Sequence, residues 1–201
     1  PDMNPRLRSA IQSARLANMP KENVERAINK SEANQNLNYE NLRYEGMGPG
    51  KISIIVEALT DNKNRTASNV RKIFQKNGGN LGTTGVASHN FKQMGIIRIE
   101  KKMISEESIL EFAVDVGADE CISKEGFHEI FCAKENFYKV KIAIEKKINN
   151  FLNSGIEWHP LNKIELKKEE EYGLAVNLLE ALENDDDVQN VYTNLEEKKL
   201  N

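Results

Sequence analysis

The residues best suited to chemistry in this 201-residue chain lie between Arg43 and Gly85. Tyr44-Glu45-Gly46-Met47-Gly48-Pro49-Gly50-Lys51 leads into an apolar run from Ile52 to Leu59. Thr60-Asp61-Asn62-Lys63-Asn64-Arg65-Thr66 follows, then a short basic stretch and Gly78-Gly79-Asn80-Leu81-Gly82-Thr83-Thr84-Gly85. Glycine-rich turns beside cations suit the grip of an anionic polymer. Arginine offers forked hydrogen bonds to phosphate, lysine a mobile point charge, and glycine lets a backbone come close.

Bond-breaking chemistry finds little support in the same residues. A phosphate-binding loop of the Walker type needs four residues between its glycines and Ser or Thr after its lysine, whereas Ile52 follows Lys51 and only three residues separate Gly46 from Gly50. It also needs a helix next, and Ile52 to Leu59 reads as a strand. His89, His128 and His159 are far apart and show no metal-binding spacing. Asp185-Asp186-Asp187 lacks the spaced ligands and glycine of a calcium loop and reads as a solvated helix end, and Lys63 spoils Asp61-Asn62-Lys63-Asn64 as an oxygen-ligand set. No Gly-x-Ser-x-Gly elbow is present. The chain is therefore expected to be no enzyme, with no catalytic residue, no metal site and no cofactor.

The cations are better organised. Helical spacing over Thr66 to Asn77 turns Ala67, Val70, Ile73 and Phe74 inward and leaves Arg71, Lys72, Gln75 and Lys76 outward. Lys63 and Arg65 fall in the loop entering that helix, and Lys51 in the preceding turn. An amphipathic helix whose polar face happens to be basic is the plainer alternative. The first thirty residues add Arg6, Arg8, Arg15, Lys21, Arg26 and Lys30 against three acidic residues, with Arg8 and Arg15 on one helical face. The expected nucleic-acid contacts are Arg6, Arg8, Arg15, Lys51, Lys63, Arg65, Arg71, Lys72 and Lys76. Residues 4 to 30 invite a helix-turn-helix reading, yet no side-chain set at base-reading positions stands out, so backbone binding is supported and sequence readout is not. Tyr44 is the one aromatic near the glycine loop that could stack on a base.

The positioning elements follow from periodicity. Asn4 and Pro5 start a helix to about Asn18, Pro20 starts a second with Val24, Ala27 and Ile28 inward, and Ser31 to Asn38 is a polar linker. Tyr39 to Glu45 and Lys51 to Leu59 read as a hairpin, Gly78-Gly79 as a left-handed helix cap, and Val86 to Phe91 as a further strand. From 95 to 166 the order is strand (Ile96 to Lys101), helix (Glu106 to Val116), strand (Glu120 to Lys124), strand (Glu129 to Ala133), helix (Asn136 to Leu152) and strand (Ile156 to Ile164), the ferredoxin-like split βαβ. A last helix, Glu169 to Leu182, and a strand, Val188 to Tyr192, are expected to return to the 39 to 94 sheet. The fold class is α+β, in three parts: a helical domain over 1–37, a small α/β domain over 38–94 plus 167–201, and an inserted ferredoxin-like domain over 95–166.

Charge divides the chain along its length. Residues 1 to 94 hold 14 Lys and Arg against 8 Asp and Glu, and residues 95 to 201 hold 14 against 23, which together give the net charge of -3. This suggests a polyanion-facing half and an acidic half able to take a protein partner, or simply two ordinary surfaces. No apolar run approaches the roughly 20 residues that cross a bilayer. Cys121 and Cys132 are too few for a disulfide framework and suit a reducing compartment. A hairpin turning at Glu125-Gly126-Phe127 would bring them nearly opposite each other, as small strand residues or as a redox pair.

Tyr44-Glu45-Gly46, Gly48-Pro49, Thr60-Asp61-Asn62, Asn64-Arg65-Thr66, Val70-Arg71 and Gly78-Gly79-Asn80-Leu81-Gly82 resemble the signature of the YebC/PmpR family, with Asn4-Pro5-Arg6-Leu7-Arg8 upstream and Asp186-Asp187-Val188-Gln189 near the end. The resemblance spans nearly the whole chain. It implies a three-domain cytoplasmic regulator of gene expression, described in bacteria as transcriptional and related to a mitochondrial translational activator of cytochrome c oxidase subunit I. It also implies a basic segment of about fifty residues ahead of Asn4, which this chain is expected to lack. The expected partner is DNA, with ribosomal RNA or the ribosome as the alternative, no membrane, and a protein adaptor working through the acidic half as a third class.

Overall fold

A computed structural model describes residues 19–33, 39–148 and 151–198, together with Leu7, Ala10, Ile11 and Ala14. The described residues form five α-helices and two antiparallel four-stranded sheets, an α+β fold. They divide into two units: residues 37–92 with 158–201, and residues 1–36 with 93–157.

The first unit is built on the hairpin of β1 (Glu40–Met47) and β2 (Ser53–Thr60), paired Tyr44 to Val56 and Gly46 to Ile54. Alternation along β2 sends Ile54 and Val56 to one face and Ile55 to the other, and all three are fully buried, so both faces of this strand are covered. The hairpin turn runs through Gly50 at φ 62° and Lys51 at φ 61°. A Cβ on Gly50 would run into Leu166 Cδ2, so the Leu166 side chain would have to shift, and the positive φ itself favours glycine there.

Helix α2 (Lys63–Lys76; α1 is described below) lies on the Ile54 face, with Thr66, Val70 and Phe74 buried. Its approach is close: a Cβ on Gly46 would meet the Phe74 ring at 2.5 Å. The helix starts three residues earlier than periodicity predicts, because Asn62 Oδ1 accepts the Arg65 amide at 3.1 Å and caps it. Lys63 and Arg65 are thus in the first helical turn and not in a loop, while Ala67 is half-buried and Thr66 takes the core position. Gly78 ends the helix at φ 73°.

The sheet order is β3-β1-β2-β8, with β3 at Asn80–Leu81 and β8 at Val188–Thr193. The C-terminal helix α5 (Glu169–Glu183) puts Ala175, Leu178 and Leu182 into the same core as Phe74, and β8 pairs antiparallel with β2. The expected strand over Val86 to Phe91 does not form. Residues 88–90 are a 3-10 turn and β4 begins only at Phe91, because the amides of Gly85, Ala87 and Ser88 all turn onto one carboxylate, Glu45.

In the second unit β4 (Phe91–Glu100), β5 (Glu120–Ser123), β6 (Phe127–Ala133) and β7 (Asn153–Pro160) lie in the order β5-β6-β4-β7, the strand order of a split βαβ unit. Helices α3 (Glu106–Asp115) and α4 (Phe137–Glu145) share one core with the sheet: Ile109, Phe112 and Ala113 from the first and Phe137, Val140 and Ile144 from the second meet Ile97, Ile99 and Ile130. Ser105 caps α3 through the Ser108 amide. Helix α4 is shorter than the predicted 136–152, for the chain turns at Lys146 and Lys147 to seat Ile148 in the core. Cys121 pairs with Ile130, and Cys132 with Gly95, so the two thiols are not opposite each other; both are free. Burial pushes both thiols up, away from thiolate reactivity.

Helix α1 (Lys21–Ala33) follows Pro20, with Val24 and Ile28 half-buried and Ala27 exposed. Leu7, Ala10, Ile11 and Ala14 are also helical. No helix among the described residues is long and apolar enough to cross a membrane.

Candidate nucleic-acid interface

The cations of α2 divide into two kinds. At the N-terminal end Arg65 is committed: Nη2 donates to Asp187 Oδ1 at 2.9 Å and to Asp61 Oδ1 at 2.9 Å. Thr66 Oγ1 lies 2.6 Å from Asp187 Oδ2, and Thr60 Oγ1 accepts the Asn62 amide at 2.9 Å. Burial alone would raise the Asp187 carboxyl, but the Thr66 hydroxyl and the Arg65 guanidinium outweigh it and hold the group below the usual range. Thr60, Asp61, Asn62, Arg65, Thr66 and Asp187 are thereby gathered into one cluster that fastens the start of β8 to the start of α2.

Further along the helix the cations are free. Arg71, Lys72 and Lys76 are exposed with Gln75 on the side opposite Val70 and Phe74, and among the described residues none of the three has an ion-pair partner. Lys63 is exposed on the first turn. Lys51 is exposed in the hairpin turn, which abuts the C-terminal end of α2: a Cβ on Gly78 would sit 3.7 Å from Pro49 Cγ. The same turn touches Leu166, which places it beside exposed Lys167, a cation that sequence spacing did not single out. Arg6, Arg8 and Arg15 lie outside the described residues.

The glycine loops are less available than their composition suggests. The Gly79 amide donates to Phe74 O, the Gly82 amide to Glu45 O, and the Gly85 amide to Glu45 Oε2. These three amides are therefore already satisfied within the fold. Glu45, 2% exposed, collects the Gly85, Ala87 and Ser88 amides on Oε2 at 2.8–3.0 Å, while Oε1 faces Arg43 Nε at 3.3 Å. Burial pushes this carboxyl up, and the amides of Ser88, Ala87 and Gly85 more than reverse it. Tyr44, the expected stacking residue, is half-buried in the α2 and α5 core with its hydroxyl at 3.5 Å from Lys63 O, so its ring is not a platform for a base. Arg43 instead stacks on Trp158 at 5.1 Å, and Glu57 accepts from Trp158 Nε1 at 3.1 Å and from Asn190 Nδ2 at 3.2 Å. A glutamate between Tyr44 and Gly46, inside an otherwise half-buried strand, was the sequence signal for the Glu45 site.

No group of three or more metal-ligating side chains forms among the described residues. The described residues do present a cationic helix face and an adjoining turn that carries Lys51.

Comparison with known proteins gives the lineage. Residues 1–34 match the family model of the TACO1/YebC N-terminal domain, and residues 39–195 that of the TACO1/YebC second and third domain. The chain belongs to the TACO1/YebC family. A probable transcriptional regulatory protein of Pelagibacter ubique is 63% identical over 195 residues, covering 97% of this chain and 80% of that protein. The crystal structure of a conserved hypothetical protein from Aquifex aeolicus superposes with a TM-score of 0.86 at 42% identity, covering 100% of this chain and 83% of the other.

Proposed function

We propose that this protein is a non-enzymatic, cytoplasmic regulator of gene expression that binds DNA through Lys51, Lys63, Arg71, Lys72 and Lys76, with Arg6, Arg8 and Arg15 of the N-terminal segment supplying further phosphate contacts. The observation that carries the reading is the division within α2: Arg65 is neutralised by Asp61 and Asp187, whereas Arg71, Lys72 and Lys76 are exposed without a partner among the described residues. Unpaired exposed cations are free to replace the counterions of a phosphate backbone. The name of the Pelagibacter ubique relative supports a transcriptional role.

A specific feature favours a second reading, association with ribosomal RNA as a translation factor. A recognition helix reads bases with its N-terminal residues, and the N-terminal turn of α2 is occupied by the Arg65–Asp187 cluster. Contact through the remaining cations is to phosphates, which both polymers present. Arg71→Glu with Lys72→Glu should abolish binding to duplex DNA and leave the thermal transition within about 2 °C of the parent, as surface changes do. In the parent, the five cations of α2 and the hairpin turn should contribute about -4.5 to the log-log salt slope for DNA. Equal binding by parent and double variant sinks the interface. Salt-labile co-sedimentation with ribosomal particles, with no retention of promoter fragments, moves the partner from DNA to ribosomal RNA.

A further inference from the structure

The split βαβ unit carries charges of opposite sign on its two helices, and on each of them two exposed charges have no ion-pair partner among the described residues. On α3 the solvent side reads Glu107, Leu110, Glu111 and Val114, positions that follow one another along a single helical face. On α4 it reads Tyr138, Lys139 and Ile142, continued by Lys146 one turn on. Leu110, Val114, Tyr138 and Ile142 are 51, 69, 57 and 55% exposed, although their neighbours Ile109, Ala113, Phe137 and Val140 are buried. Scattered exposed leucines need no explanation, but four large apolar groups exposed on two helices of one layer are a concentration of the kind that marks an interaction surface.

The helices are neighbours in that layer. Both cover the same face of the sheet, and Lys147, just past α4, reaches over the Phe112 ring of α3 at 4.0 Å. Helix α3 holds Glu106, Glu107, Glu111 and Asp115 and no cation. The exposed cations beside Tyr138 and Ile142 are Lys139 and Lys146, and Glu145, the one acid there, lies 3.9 Å from Lys141. Glu107, Glu111, Lys139 and Lys146 have no ion-pair partner among the described residues.

We propose that this face pairs with a second copy of the same chain. A two-fold axis running between α3 and α4, along their length, lays the acidic α3 of each copy on the basic α4 of the other. Glu107 and Glu111 then meet Lys139 and Lys146, and the apolar residues close the centre. The surface is self-complementary, as an isologous contact requires. A partner of uniform charge would be attracted by one helix and repelled by the other.

Charge reversal distinguishes a second copy from any other occupant. The parent should sediment as a concentration-dependent dimer. Glu107→Lys with Glu111→Lys makes both helices basic, Lys139→Glu with Lys146→Glu makes both acidic, and each double variant should be monomeric, weakened about a hundredfold or more, since like charges brought together across an interface cost several kcal/mol. Mixing the two variants should restore a one-to-one dimer, as should all four changes in one chain. Circular dichroism of each variant checks the fold, because all four side chains are exposed. A parent that stays monomeric up to its solubility limit overturns the proposal. So does a dimer that ignores both reversals, or two variants that fail to combine. DNA or ribosome binding that fails while dimerisation follows this pattern leaves the inference standing apart from the proposed function.

Discussion

Each of the two sheets buries one glutamate, and the two are neutralised by different means. Glu45, on β1, is 2% exposed and held by three backbone amides of the loop after β3. Glu129, on β6, is 5% exposed and held by side chains: Arg98 Nε donates at 2.8 Å, Lys124 approaches its other oxygen, and Arg98 forks its remaining nitrogens onto Glu157 at 2.7 and 2.9 Å. Amides cannot move without moving the chain, so the Glu45 carboxylate dictates a loop conformation. The Glu129 cluster can lose a member and re-pair, because its parts are flexible.

That contrast predicts its largest effect at Glu45. Glu45→Ala strands three donors, and at about 1 kcal/mol each it should cost about 3 kcal/mol and lower the midpoint by about 6–12 °C. Hydrogen exchange should also show the Gly85 to Ser88 amides losing protection. Glu129→Ala leaves Arg98 on Glu157 and Lys124 exposed, and should cost about 1–2 kcal/mol. An equal or larger loss at Glu129, measured by denaturant unfolding of both variants, would erase the distinction.

Acid and salt sharpen it. Burial raises both carboxyls, and their partners more than reverse it: the Ser88, Ala87 and Gly85 amides for Glu45, Lys124 and Arg98 for Glu129. Both folded values lie below the unfolded one, so each contribution is fully present above the ordinary glutamate range near pH 4.3 and is lost as pH falls through the depressed value. In both alanine variants the acid limb of stability against pH should flatten. Molar salt should weaken the ion pairs of both sites, Arg98 and Lys124 on Glu129 and Arg43 on Glu45, but leave the three amide hydrogen bonds of Glu45 in place, so the Glu129 contribution should fall by more. A salt-insensitive Glu129 variant would mean that its cluster is as dry as the amide loop.

These two sites also show what a sequence can and cannot declare. Helix and strand periodicity located the split βαβ order and the burial of Val70 and Phe74, since those depend on spacing alone. The 86–91 segment looked like a strand because Val86, Ala87 and Phe91 are apolar, and it is not one because the partner of its amides is a side chain forty residues earlier. Arg65 looked like a phosphate ligand for the same reason: nothing local announces that Asp187, 122 residues on, closes against it. The cysteines missed each other through register, which a turn of uncertain length leaves open by a residue or two. Arg71, Lys72 and Lys76 were readable because exposure on a helix follows from the buried stripe behind it.

The smallest effect tests the free charges against the committed ones, and it has the opposite sign. Lys51 is the single non-glycine residue with positive φ among the described residues, at 61°, and its side chain is exposed. An L-residue is strained there where glycine is not, so Lys51→Gly should raise stability by roughly 0.5–1 kcal/mol. The same change removes a cation from the turn beside α2 and should lower the salt slope of DNA binding by about 0.9. Gain of stability with loss of binding would mean that the turn keeps a strained backbone for the sake of its charge. Stability lost on introducing glycine would show instead that the lysine stem is packed, and that Lys51 belongs with Arg65 and Glu45 among the groups that hold the fold.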